Sequence, residues 1–148
     1  MPLKNRAAVE QQAASPLCYS AAWSTAGGST ADARTAVRTL LALAGHDPGQ
    51  RPSQDAQIVV SELVTNALRH APGPGSLALE VTPDAALLRI TVRDASPRPP
   101  ELREPDARRV GGHGMQLVSR LCDQLHTIAL ATGKQIVASL RLPQPVTP

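Results

Sequence analysis

The stretch Ser61-Glu62-Leu63-Val64-Thr65-Asn66-Ala67-Leu68-Arg69-His70-Ala71 sets a carboxylate and an amide four residues apart inside an apolar run. At helical spacing, residues four apart lie above one another, so Glu62 and Asn66 project from a single face. Ile58, Val59, Leu63 and Ala67 recur with the same period and point toward a core. The pattern predicts a helix capped by Ser53 and running to about His70, with Pro72-Gly73-Pro74-Gly75 as its stop. Asparagine is a poor choice for a helix interior on propensity. Its side-chain oxygen, however, suits Mg²⁺, which takes few protein ligands beside phosphates and waters.

Two further blocks follow in order. Val92-Arg93-Asp94-Ala95-Ser96-Pro97 delivers a single Asp from the end of a strand whose alternation is Leu88, Ile90, Val92. Gly111-Gly112-His113-Gly114-Met115-Gln116-Leu117-Val118 places glycines where another helix begins, with Met115, Leu117, Val118 and Leu121 as its amphipathic run. Backbone N–H groups at such a terminus face anions without β-carbons in the way. A carboxylate near a terminal phosphate can take the proton of an attacking hydroxyl. The three blocks together describe a pocket for a nucleotide and its metal.

In order and wording the blocks resemble the gyrase, histidine-kinase and mismatch-repair ATP-binding superfamily, and within it the single-domain bacterial anti-sigma serine/threonine kinases. Val60 to Ala71 resembles that family's N box, Asp94 its first glycine box, and Gly112 to Val118 its second; the likeness runs from about Thr30 to Leu142. The resemblance implies Glu62 as general base, Asn66 as Mg²⁺ ligand, Asp94 as acceptor from adenine's amine, and Gly112, Gly114 and Met115 around the phosphates. It places a γ-phosphate arginine at Arg108 or Arg109, although relatives carry it where this chain has Val110. Gln135 stands where relatives commonly have a Thr that supports the Asp. Ser96 replaces a usual glycine, and Pro97-Arg98-Pro99 a second. Arg34 matches an arginine that grips the sigma factor. His70 either lines the pocket or meets the helix dipole as a C-terminal cation.

Around these blocks the chain reads as one domain with a single core. Residues 1–15 are expected to be a flexible tail, 16–142 the ATP-binding domain, and 143–148 a disordered tail. Within the domain the pattern predicts a strand over 16–25, then a helix from Ser29 or Thr30 to Gly45 that buries Ala33, Val37, Leu40, Leu41 and Ala44. Strands are expected over about 77–81 and 87–93, turning at Pro83-Asp84, and a Pro/Arg/Glu-rich lid over 97–110. The third helix starts near Gly114 and is followed by strands over about 124–131 and 135–142, meeting at a Thr132-Gly133 turn. Segregated helices and strands imply an α+β, two-layer sandwich, with one mixed, mainly antiparallel sheet covered by helices.

Composition narrows the function. No apolar run approaches the ~20 residues of a membrane span, and no secretory segment opens the chain, so a soluble cytoplasmic protein is expected. Cys18 and Cys122 make neither a metal-spaced pair nor a disulfide framework. The net charge of +3 comes from scattered arginines, and the only lysines are Lys4 and Lys134. With no Phe, one Tyr and one Trp, stacking platforms for nucleic acid are missing.

The reading is thus a Mg·ATP-binding regulator similar to an anti-sigma kinase. Its implied partners are a sigma factor and an anti-anti-sigma protein phosphorylated on Ser or Thr, without membrane or direct nucleic-acid contact, and with a homodimer left open. The alternatives are a non-catalytic ATP-binding interaction module and a detached histidine-kinase-type ATPase domain. No dimerisation helix precedes the blocks, which weighs against the latter.

Overall fold

A computed structural model describes residues 15–24, 30–71, 73–96 and 114–144. The expected lid over 97–110 and most of both expected tails lie outside these residues. Among them run β1 (Leu17–Trp23), α1 (Thr30–Leu43), α2 (Arg51–His70), β2 (Gly75–Val81), β3 (Leu87–Asp94), α3 (Gly114–Leu121), β4 (Gln124–Leu130) and β5 (Gly133–Arg141).

The helices bury the stripes their periodicity sets. α1 turns Ala33, Val37, Leu40 and Leu41 inward. In α2 the buried stripe is Ala56, Val59, Val60, Leu63, Val64 and Ala67. Ile58, expected in the core, is 39% exposed, because it sits about 200° around the helix from Val60. Ser53 does not cap α2. The helix starts three residues earlier than that cap would set, with Gln50 at the N-cap, no side-chain capping bond, and Pro52 in the first turn. Proline there forfeits only an amide that has no helical partner. Ser53 is instead fully buried, and its hydroxyl accepts a hydrogen bond from Gln57 at 3.2 Å. Leu117, on the expected apolar run of α3, is likewise exposed, whereas Met115 and Val118 are buried.

The five strands form one sheet in the order β1-β2-β3-β5-β4. Every described pairing is antiparallel, where a mixed sheet was expected. β3 and β4 do run in the same direction, but β5 lies between them and is antiparallel to both. The sheet's inner face carries Leu77, Leu79, Val81, Leu88, Ile90, Val92, Ile136, Ala138 and Leu140 into the core with the helix stripes. Each large apolar side chain fully buried there contributes about 1.5–3 kcal/mol. The other face has no helix on it among the described residues, so the molecule is a two-layer sandwich.

The β2–β3 turn is held by its own polar groups. The Thr82 hydroxyl donates to Asp84 at 2.6 Å and the Ala86 amide at 3.1 Å, which together hold the Asp84 carboxyl below the usual carboxylate range. The β4–β5 turn is shorter than expected. Leu130 pairs with Gly133, leaving Ala131 and Thr132 as the loop, so β5 starts two residues before the expected Gln135. This shift puts Lys134 in the sheet. Cys18 is exposed and Cys122 half-buried, both as free thiols. Burial pushes the Cys122 thiol up, which reduces its thiolate at neutral pH. No described helix is long and apolar enough to cross a membrane.

Candidate functional site

α2 is the element on which the site is built, since it packs against α1, α3, β3 and β5. Its buried stripe fixes its rotation, and that rotation brings Glu62 and Asn66 to a half-buried flank. No hydrogen bond joins either side chain to another described residue. Polar groups withdrawn from water usually have partners, and among the described residues these two, one turn apart, have none.

The Glu62 carboxylate lies against Gly114, the first residue of α3. A β-carbon at Gly114 would come within 3.0 Å of the Glu62 carboxyl carbon and collide with Oε2. The glycine expected to leave room for phosphate thus also leaves room for the glutamate. Met115, by contrast, sends its side chain into the core, so only its backbone is available to a ligand. Gly112, Arg108 and Arg109 lie outside the described residues.

Asp94 ends β3 on the inner face of the sheet, 6% exposed. The Ser96 amide donates to its Oδ1 at 2.9 Å. Directly across the ladder stands Lys134, whose ammonium lies 3.0 Å from Oδ1 and 2.9 Å from Oδ2. The pair is almost wholly buried, with side chains 5% and 2% exposed. Gly133 makes this closeness possible. Its φ of +144° disfavours other residues, and a β-carbon there would collide with the Asp94 carbonyl oxygen.

The structure does not bring Gln135 to Asp94. Successive strand residues point to opposite faces, so Gln135 emerges on the uncovered side of the sheet. There it accepts a hydrogen bond from Arg93 at 2.6 Å, in a shallow groove with Ser20, Ser76 and Thr91. The residue opposite Asp94 is Lys134, which sequence reasoning passed over as part of a turn. The signal was available: Lys134 shares the parity of Ile136, Ala138 and Leu140, and it is one of two lysines in an arginine-rich chain.

Arg34 is exposed on α1, away from Val37 and Leu41, which are fully buried. Its Nη1 donates to Ser61 at 3.3 Å, next in sequence to Glu62. Thr30 and Thr65 share a hydroxyl contact of 3.3 Å one residue from Asn66. These two links tie α1 to the flank of α2 that carries the candidate residues. His70 is exposed in the last turn of α2, beside Arg69.

None of the curated proteins compared matches the chain. A solved structure of the RsbU and RsbW domains of Rv1364c from Mycobacterium tuberculosis matches with a TM-score of 0.60 at 20% identity, over 88% of this chain and 34% of that one. The histidine kinase domain of a blue-light activated histidine kinase from Erythrobacter litoralis EL346 aligns with a TM-score of 0.44 at 23% identity, over 78% and 60% of the two chains. This chain therefore spans about a third of the length of the first and three fifths of the second. The first likeness establishes a shared fold. The profile of the histidine kinase-like ATPase domain matches residues 23–140, a span that holds Glu62, Asn66, Asp94 and Gly114, and the chain belongs to that family.

Proposed function

We propose that this ATP-binding domain is a cytoplasmic regulator of the anti-sigma type, which binds a sigma factor and phosphorylates Ser or Thr on an anti-anti-sigma protein. The observation that supports this reading most is the half-buried pair Glu62 and Asn66, one turn apart on α2, with Gly114 against the glutamate. Glu62 accepts the proton of the incoming hydroxyl as its oxygen bonds to the γ-phosphorus. The bond from that phosphorus to the β–γ bridging oxygen breaks, and ADP leaves with the electron pair. Asn66 is a neutral hard-oxygen donor, unengaged by described neighbours, and would suit a phosphate-bound Mg²⁺, which takes few protein ligands. When bound, the ion supplies charge neutralisation for the phosphates. Gly112 and Gly114 seat the phosphates through their amides, Arg109 reaches the γ-phosphate, and Asp94 meets the base.

A second reading is a domain that binds nucleotide as a ligand without transfer. Incubation with radiolabelled Mg·ATP and candidate anti-anti-sigma proteins separates the two, since only the first yields a labelled Ser or Thr.

Asn66→Ala is expected to weaken Mg·ATP binding at least about tenfold while leaving the thermal transition in place, because the amide supports no described neighbour. Calorimetric affinity equal to wild type would remove Asn66 from the site. Arg34→Ala is expected to abolish capture of the sigma factor with Mg·ATP affinity unchanged. A guanidinium in the open grips a carboxylate bidentately, and such anchors dominate interfaces. Equal capture by the variant would move the contact surface elsewhere, and no capture by the wild type would leave only nucleotide binding standing.

A further inference from the structure

We infer that β4 is an interaction edge for a second copy of this chain, the two β4 strands pairing antiparallel about a two-fold axis at Ile128 and joining the two sheets into one. The inference names a surface and its occupant, and it does not depend on the nucleotide reading.

β4 is the last strand of the sheet, with β5 on one side and no described strand on the other. An open edge presents a row of unpaired amides and carbonyls, and proteins commonly blunt it with a charge, a proline or a very short strand. β4 has none of these. Its seven residues, Gln124–Leu130, include no Asp, Glu, Lys, Arg or Pro, and neither do Ala131 and Thr132 of the turn. All of them except Leu125 are exposed. Ile128 and Leu130, 47% and 37% exposed, are among the few large apolar side chains that the described surface leaves in water.

The pattern of this edge follows from the hairpin. Leu130 and Gly133 close a two-residue turn, and residues that close such a turn bond to each other. By alternation Leu130, Ile128 and His126 direct their amides and carbonyls to β5, whereas Ala129, Thr127 and Leu125 direct theirs outward. Ile128 stands opposite Gln135, so with Leu130 and His126 it leaves from the uncovered face of the sheet.

A second copy answers that edge. With the axis at Ile128, Thr127 of each copy exchanges both backbone bonds with Ala129 of the other. The two Ile128 side chains become a non-hydrogen-bonded pair, the closer kind, and β-branched apolar pairs stabilise a ladder. Leu130 lies opposite His126 of the other copy, so the two imidazoles do not face each other. An axis at Thr127 would instead set Ile128 against His126 and Leu130 against Gln124, apolar against polar. Charge selects the same occupant. The chain carries a net +3, so two copies repel unless they meet at an uncharged surface, and β4 is one. A strongly acidic or basic strand would find no opposite charge on β4 to hold it.

Sedimentation equilibrium on the full chain tests the inference. A reversible monomer–dimer equilibrium is expected between about 1 and 300 μM, the weak range of an interface at the small end of the size scale. Ile128→Lys puts two cations face to face on the axis and is expected to weaken the dimer at least about tenfold. In a Cys18→Ser background, chosen because Cys18 is exposed, Ile128→Cys should cross-link to its own copy on mild oxidation. Thr127→Cys, on the opposite face of the strand, should not. If Ile128→Lys does not fold, as circular dichroism will show, the two cysteine variants decide. A wild-type chain that stays monomeric up to about 300 μM overturns the inference. So does an Ile128→Lys dimer of wild-type affinity, which would put the contact on another surface. Cross-linking of Thr127→Cys in place of Ile128→Cys overturns it as well, by rejecting the register.

Discussion

Asp94→Ala should destabilise the domain by about 3–5 kcal/mol, because it strands the Lys134 ammonium in a site where water does not compensate it. The Ser96 amide loses its acceptor as well. Against the roughly 5–15 kcal/mol that holds a typical domain folded, this is a large share. Urea unfolding measures it directly as a lower midpoint at constant slope. The double variant Asp94→Ala, Lys134→Met should recover much of the loss, since no unpaired charge remains and the methionine fills the stem's volume. A wild-type midpoint for Asp94→Ala would show that the pair contributes nothing. A double variant no better than the single would locate the cost in packing instead. Under the proposed function Asp94 also meets the base, so its binding phenotype is readable only beside its stability. Asn66→Ala provides the contrast, with a binding loss in a domain of unaltered stability.

Glu62→Gln should slow phosphate transfer by ~10²–10⁴-fold while binding of Mg·ATP and of the protein partners is retained. Glutamine keeps the size and the hydrogen-bonding oxygen of the side chain, including its fit against Gly114, but takes up no proton. Single-turnover assays with labelled ATP isolate that step from binding. Transfer at the wild-type rate would reduce Glu62 to a positioning role. The substitution is informative because Glu62 projects from a flank of α2 whose rotation is set by other residues, Val59, Leu63 and Ala67 among them.

Much of the placement of the candidate residues was legible in the sequence. The four-residue spacing of Glu62 and Asn66 requires only that the segment be helical, and its apolar period says that it is. Asp94 was legible for a similar reason: the alternation of Leu88, Ile90 and Val92 fixes its face once the strand is granted. Gln135 and Lys134 show where such reasoning stops. Gln135 was singled out by the resemblance and Lys134 fell just before the expected strand; because neighbouring strand residues face opposite ways, it is Lys134 that pairs with Asp94 and Gln135 that pairs with Arg93. Ser53 and Ile58 were misplaced by smaller errors, of cap position and of helical phase.

The sequence by itself determined the helices, the strands, the sandwich class and the faces from which Glu62, Asn66 and Asp94 leave their elements. These properties depend on periods of 3.6 and 2 and on short-range stops, all of which are written locally. Only the tertiary structure decided which residues meet across elements. Lys134 is forty positions from Asp94, and their buried pairing exists because β5 inserts between β3 and β4 with Gly133 at its start. Contact between distant residues is set by strand order and register, through pairing energies that no single segment carries. Gly114 against Glu62 belongs to the same class, a meeting of two helices that neither helix specifies alone.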